Sequence, residues 1–423
     1  MPSSSLVAES DLGPVSKGPG TISSTLTTTT PITASMPRGR KVPRHVIPEE
    51  VPAAAPVDTS SNEFHFNLKP KEVKAHLDRF VIKQDEAKKV LSVALCDHFQ
   101  HVRMTRAGLK APFYTKQNVL LLGPTGVGKT HLIRSAAELI GVPFVKADAT
   151  KFSETGYVGG DVEDLVRDLI RRTGGDVEKA EHGIIYLDEI DKIAGRDSGG
   201  RDVSGKGVQT NLLKLMEDAD VAVVSPNDIM GQVQAVMPRP GQPPRPPGET
   251  INTRHILFIV SGAFAGLPAI IRNRLASAAG TIPPGGEAAL MDQAMTADFI
   301  NFGFEPEFIG RLPVRVACQP LAEKDLFDVM RRSESSLLRQ YERAFKAYGI
   351  TVKWRADGLR QIARLAAAEG TGARGLMTVC ERVLRDFKFE LPSSSVDEFA
   401  VTRELVQDPK SSLATLLKKT SRR

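Results

Sequence analysis

A chain of 423 residues that is 41% hydrophobic and 25% charged can bury a sizeable core, and it is too aliphatic to be disordered throughout. Its 56 Lys and Arg against 50 Asp and Glu leave a net charge of +6, which is weak evidence for a polyanionic partner without a clustered basic face. The three cysteines, Cys96, Cys318 and Cys380, are too far apart for a disulfide scaffold or a C-x-x-C zinc or redox pair, and no apolar run reaches the roughly 18 residues of a membrane span. A reducing, cytoplasmic setting fits this composition.

Residues 1–62 read as a tail, because Ser, Thr and Pro supply 27 of them and the first aromatic residue is Phe64. Such a segment has too little apolar area to offset the entropy of ordering it. Its basic cluster Arg38-Gly39-Arg40-Lys41 reads as a solvated charge run. A mitochondrial transit peptide is the alternative, against which Glu9 and Asp11 argue.

Helical spacing follows at Lys71–Arg79 and Asp85–Met104. Three short apolar runs, Asn118–Leu122, Gly183–Leu187 and Ile256–Val260, read as buried parallel strands. Helical stretches lie between them, for example Thr130–Leu139 and Val162–Arg171. The alternation predicts a parallel α/β sheet with crossover helices and ligands at the carboxyl ends of the strands. Two inserts interrupt it: a proline-rich loop at 225–249 and an Ala/Gly/Pro segment at 276–288. Helical spacing at 322–347, 355–369 and 373–390 predicts a second, smaller helical domain. The expected division is 1–62 tail, 63–315 large α/β domain, 316–405 small helical domain and 406–423 basic C-terminal tail, frayed over Lys418–Arg423.

The most specific motif is Gly123-Pro124-Thr125-Gly126-Val127-Gly128-Lys129-Thr130, which fits G-x-x-x-x-G-K-[ST] between a predicted strand and a predicted helix. Glycines let the backbone wrap a phosphate, and the helix N-terminus adds positive potential. Lys129 would hold the β- and γ-phosphates, and Thr130 would ligate Mg2+. Downstream, the apolar run Ile184–Leu187 ends in Asp188-Glu189. Two acids closing a buried strand are costly unless a cation lies near. Asp188 suits magnesium and Glu189 suits polarising an attacking water, so the pair reads as nucleotide hydrolysis rather than mere binding.

These motifs, with Thr155-Gly156-Tyr157-Val158-Gly159 between them, resemble the AAA+ ATPases, and within those the ClpX/HslU unfoldase family. The similarity is dense over roughly residues 68–390, through Phe80-Val81-Ile82-Lys83-Gln84, Asp188-Glu189-Ile190-Asp191-Lys192-Ile193, Ser261-Gly262-Ala263-Phe264, Pro306–Pro313 and Gly372-Ala373-Arg374-Gly375-Leu376. HslU carries a large insertion before its Asp-Glu strand, and the short separation of Lys129 from Asp188 brings the chain closer to ClpX. The resemblance implies an AAA+ P-loop sheet followed by a small helical domain. ATP would lie against Val81, Ile82, the 123–130 loop, His131 and Arg374. Of these, Val81 and Ile82 would cover the adenine, and Arg374 would be the sensor-2 arginine at the γ-phosphate. Ser261 would sit near sensor 1, and Arg311 would be the arginine finger that reaches a neighbouring subunit. It further implies a homohexamer that grips unfolded or tagged protein chains in a central pore. Tyr157 and Val158 would line that pore, and Arg201 would sit on a second pore loop.

The departures are as informative. No cysteine precedes Cys96, so a four-cysteine zinc domain has no counterpart and no zinc is expected. The insert Ser277–Ala289 lacks the Ile/Leu-Gly-Phe tripeptide that docks a peptidase, and the chain ends in Arg422-Arg423 rather than an apolar docking tail. A peptidase partner is therefore not expected. The Arg-Lys-His entrance loop is replaced by the proline-rich insert, and a glycine usual before Gln84 is Lys83. An AAA+ motor or loader on nucleic acid is the alternative reading, favoured by the basic pI of 9.1 and opposed by the uncharged Tyr157 and Val158. A nucleotide-gated scaffold with little turnover is a third.

Overall fold

The computed structural model of the chain describes residues 66–109, 114–153, 160–195, 203–225, 248–277 and 283–420, all within one unit spanning Glu63–Arg423. Its strands, in chain order, are β1 (Val119–Leu122), β2 (Phe144–Asp148), β3 (Ile184–Asp188), the short pair β4 (Asp220–Ala222) and β5 (Thr250–Asn252), β6 (Leu257–Gly262) and β7 (Val314–Ala317). Five of them form one parallel sheet in the order β2-β3-β6-β1-β7.

Burial on both faces explains why the three central strands are continuous apolar runs. Side chains alternate across the sheet. Leu120, Leu122, Ile185, Leu187, Phe258 and Val260 enter one core, while Val119, Leu121, Ile184, Tyr186, Leu257 and Ile259 enter the other. The two strands absent from the expectation are the sheet edges. Only Val145 of β2 is fully buried, with Lys146 beside it, and β7 is interrupted by Arg315. Edge strands need cover on fewer sides, so their apolar signal is weak.

Helix α1 (Pro70–Phe80) opens on a proline at its first turn, where the missing N–H costs nothing. Helix α2 (Asp85–Arg106) carries Asp85 and Glu86 in its first turn and Arg103 and Arg106 in its last, which complements its dipole. Helix α3 (Lys129–Ile140) buries Leu132, Ile133 and Ala136 and stops at Gly141, whose φ of 78° is left-handed.

Beyond the sheet lies the smaller module, with helices Glu323–Arg332, Leu337–Lys346, Ala356–Ala368 and Ala373–Glu390 around a core that includes Leu326, Ile362, Val383 and Phe387. It also holds a parallel pair, β8 (Thr351–Trp354) and β9 (Glu398–Val401). Three expectations need correction here. The helical stretch 322–347 is broken at 333–336, where the Ser336 hydroxyl caps the second helix by accepting from the Leu338 N–H (3.3 Å). The sheet domain extends past 315, since β7 reaches Ala317 and the Cys318 N–H donates to Leu122 O (2.7 Å). The segment expected to be a basic tail after 406 contains the helix Pro409–Thr420, which takes in the first residues of the stretch expected to fray. Leu413, Leu416 and Leu417 stand at helical spacing and pack on the module's core. Buried Leu413 contributes up to about 1.5–3 kcal/mol and the half-buried Leu416 and Leu417 less each, together enough to hold a terminal helix in place.

Candidate active site

Three strand ends meet at one edge of the sheet. After β1 the chain turns through residues 123–128 and enters α3. Gly126 (φ +78°) and Gly128 (φ +101°) hold left-handed conformations that cost an L-residue about 1–2 kcal/mol, which is why glycine stands at both. Lys129 is buried and folds back over the loop, its Nζ donating to Gly123 O (2.6 Å) and Pro124 O (2.9 Å). Burial lowers the pKa of this ammonium, so an anion bound beside it gains more than it would at the surface. With the N–H groups at the start of α3 that no helical carbonyl takes up, the loop is suited to a phosphate chain.

After β3, Glu189 adopts φ +57°, a conformation unusual for a residue with a Cβ, as the chain turns into a short 3₁₀ segment, Ile190–Ile193. Asp188 accepts from the Ser261 hydroxyl (2.7 Å), the Thr130 hydroxyl (3.2 Å) and the Glu189 N–H (3.1 Å), and Lys146 Nζ lies 3.4 Å away. Burial opposes its ionisation, but Ser261, Lys146 and the Glu189 N–H together hold its pKa below the usual carboxylate value. Tyr186 OH bridges Ser261 Oγ (2.6 Å) and Thr130 Oγ1 (3.3 Å). Asp191 takes the backbone N–H groups of Ala263 (3.2 Å) and Phe264 (3.3 Å), which fixes the turn after β6. A hydroxyl and a carboxylate brought together at a strand end, with a cation already drawn to them, are a donor set suited to magnesium.

The smaller module closes the site. Gly372 meets Gly126 backbone to backbone, and the Ala373 N–H donates to Gly126 O (2.8 Å). The resulting cleft of about 650 Å³ is lined by Lys129, Thr130, Asp188, Glu189 and Arg374. His131 lines it too, its Nε2 2.8 Å from Ser335 Oγ. Val329, Leu337, Leu376 and Met377 form an apolar wall that the sequence reading missed. Val81 and Ile82, expected to cover the base, do not line this cleft; Val81 is buried behind the loop, close to Gly128. Lys83 and Gln84 occupy left-handed backbone (φ 62° and 60°), which accounts for a glycine being suited to this turn. Here Lys83 Nζ is tied to Pro320 O (2.8 Å) and Asp325 (2.9 Å), and Gln84 exchanges two 2.7 Å hydrogen bonds with the Gln319 backbone.

Arg311 follows the short helix Pro306–Gly310 and does not line the cleft of its own chain. Its side chain is 47% exposed and pairs with Glu217 (2.5 Å). The buried Asn118 anchors its backbone, donating from Nδ2 to Arg311 O (3.1 Å) and accepting from the Phe258 N–H (3.2 Å). Tyr157, Val158 and Arg201 lie outside the described residues. Lys146, Tyr186 and Asn118 were missed by sequence reasoning: Lys146 stands on an edge strand with a weak apolar signal, and Tyr186 and Asn118 read only as members of apolar runs.

Residues 115–315 match the AAA domain family (Cdc48 subfamily). The ATP-dependent Clp protease ATP-binding subunit ClpX of Borrelia duttonii (strain Ly) is 43% identical over 349 residues, covering 80% of this chain and 78% of the relative. The protein of the same name from Borrelia recurrentis (strain A1) matches to the same extent.

Proposed function

Because the chain belongs to the ClpX family of AAA+ ATPases, we propose that it assembles into a homohexameric ring that hydrolyses ATP at its subunit seams and draws unfolded or tagged proteins through a pore lined by Tyr157 and Val158. The carrying observation is the convergence of Lys129, Thr130, Asp188, Glu189 and Arg374, drawn from three strand ends and the smaller module, on one cleft.

Each residue then has a task. The 123–130 loop and Lys129 bind the phosphates, and Thr130 with Asp188 holds magnesium, whose charge offsets that of the phosphates. Glu189 orients the attacking water and takes its proton. Arg374, carried by the smaller module, makes the cleft's closure depend on the γ-phosphate. The wall of Val329, Leu337, Leu376 and Met377 offers the apolar contact that a base requires. Arg311 exchanges its Glu217 pair for the nucleotide of the adjoining subunit, and stabilising the transition-state charge from there is worth roughly 10³–10⁵ in rate. Tyr157 supplies a sequence-tolerant grip on polypeptide, and Arg201 adds a second contact in the channel. The absence of a peptidase-docking tripeptide in 277–289 favours remodelling of clients over delivery to a peptidase. Among the described residues no helix is long and apolar enough to cross a membrane.

Glu189→Gln tests the hydrolytic assignment. The variant is expected to bind ATP as the parent does, to turn over undetectably, and to retain clients in a pulldown. Turnover within threefold of the parent would remove Glu189 from the mechanism.

A further inference from the structure

We infer that Lys146 is a built-in counter-cation of the ATP site, which occupies the magnesium position between Thr130 and Asp188 when no metal is bound and yields it when the metal enters. The inference rests on the ATP reading of the cleft given above.

The geometry is specific. Lys146 Nζ lies 3.4 Å from Asp188 Oδ2 and 3.4 Å from Thr130 Oγ1, and those two oxygens are 3.2 Å apart. A single ammonium thus bridges the pair of groups suited to magnesium. The fold does not require a lysine there. Strand β2 sends Val145 and Ala147 to one face of the sheet, and Lys146 shares the other face with Phe144. In register it stands beside Tyr186, a residue of the apolar core. An aliphatic side chain would extend that core. The lysine instead reaches across the Tyr186 ring, with Nζ 6.0 Å from its centroid, to the carboxylate beyond. Its side chain is 36% exposed, so it can swing into solvent when displaced, while Asp188 at 18% cannot leave.

Two consequences have the same sign. Without metal, the ammonium offsets Asp188 and attracts the polyphosphate, so nucleotide still binds. With metal, the lysine must be expelled from Asp188 first, which weakens the gain that magnesium brings. Lys146 therefore compresses the ratio of nucleotide dissociation constants measured without and with magnesium.

The test uses the full-length chain and a fluorescent ATP analogue, titrated in EDTA and in excess magnesium. Lys146→Met is expected to raise the ratio of the two constants about fivefold, equivalent to about 1 kcal/mol. Lys146→Arg, which keeps the charge, is expected to stay within twofold of the parent. Melting temperature checks that each variant is folded, and Lys146→Gln takes the place of Lys146→Met should the latter not fold. A ratio in the neutral variant equal to or below that of the parent overturns the inference and leaves the ATP reading intact. Failure of the parent to bind the analogue in magnesium overturns the ATP reading itself.

Discussion

The seam between the phosphate loop and the smaller module predicts the behaviour of one methyl group. Gly372 has φ 59° and ψ −141°, a region nearly closed to residues with a Cβ and costing roughly 1–3 kcal/mol to enforce. A Cβ there would lie 2.7 Å from Gly126 O and 3.1 Å from Thr125 O, both backbone atoms that cannot swing aside. Relief requires the seam to part, at the further loss of the hydrogen bond from the Ala373 N–H to Gly126 O, worth about 0.5–1.5 kcal/mol. Together Gly372→Ala costs the closed arrangement about 1.5–4.5 kcal/mol. On the proposal that nucleotide binds the closed cleft, its apparent affinity should fall by about 10- to 2,000-fold. Gly370→Ala is the control. It has a similar φ of +67° but nothing within 4 Å of its Cβ, so only the left-handed penalty of about 1–2 kcal/mol applies; with no contact across the seam that penalty falls on the open and closed forms alike, and affinity should fall by at most about fivefold. Titration with a fluorescent ATP analogue measures both. Binding by Gly372→Ala within fivefold of the parent would refute the claim that this seam closes the site.

Other outcomes follow from the same structure. Arg311→Ala should bind ATP normally and lose about 10³-fold or more in steady-state hydrolysis. Its exposed pairing with Glu217 is worth at most about 1 kcal/mol, so its melting temperature should barely move; equal loss of binding and turnover would place the residue outside the finger role. Below the sheet, burial lowers the pKa of His98 to about 3 and of His182 and His255 to about 4, from the ordinary 6.5. The unfolded chain binds these protons more readily than the native one. Stability is therefore complete above about pH 6.5 and declines as pH falls toward 4, by up to about 1.4 kcal/mol per pH unit for each histidine. A melting temperature unchanged between about pH 7 and pH 5 would contradict this.

Legibility in the sequence tracked the physical cause of each feature. The central strands were readable because burial on both faces demands an unbroken apolar run, as in Leu120–Leu122 and Ile184–Leu187. The edges β2 and β7 were not, since the exposed Lys146 and the half-buried Arg315, which donates to Leu312 O and Ile309 O, break the apolar pattern. The phosphate loop and the Asp188-Glu189 pair were readable because backbone geometry and cation chemistry restrict which residues can stand there. Tertiary partners were hidden. Lys146 reaches Asp188 from a strand some forty residues earlier, and the apolar wall at Leu337 and Met377 exists only after the smaller module folds over the loop. The C-terminal helix was misjudged because the basic run at 418–423 was read without the leucines at helical spacing just before it, which anchor the segment.

Coupling of ATP hydrolysis to mechanical work on a threaded polypeptide is the centre of the account. Its most direct measurement compares the parent with Tyr157→Ala in ATP-driven unfolding of a tagged, folded fluorescent protein, with ATPase rate recorded in the same samples. The account predicts loss of fluorescence with the parent, at least tenfold slower loss with the variant, and ATPase rates within threefold of each other. Unfolding by Tyr157→Ala as fast as by the parent would contradict it, as would a parent whose ATPase responds to DNA and not to protein.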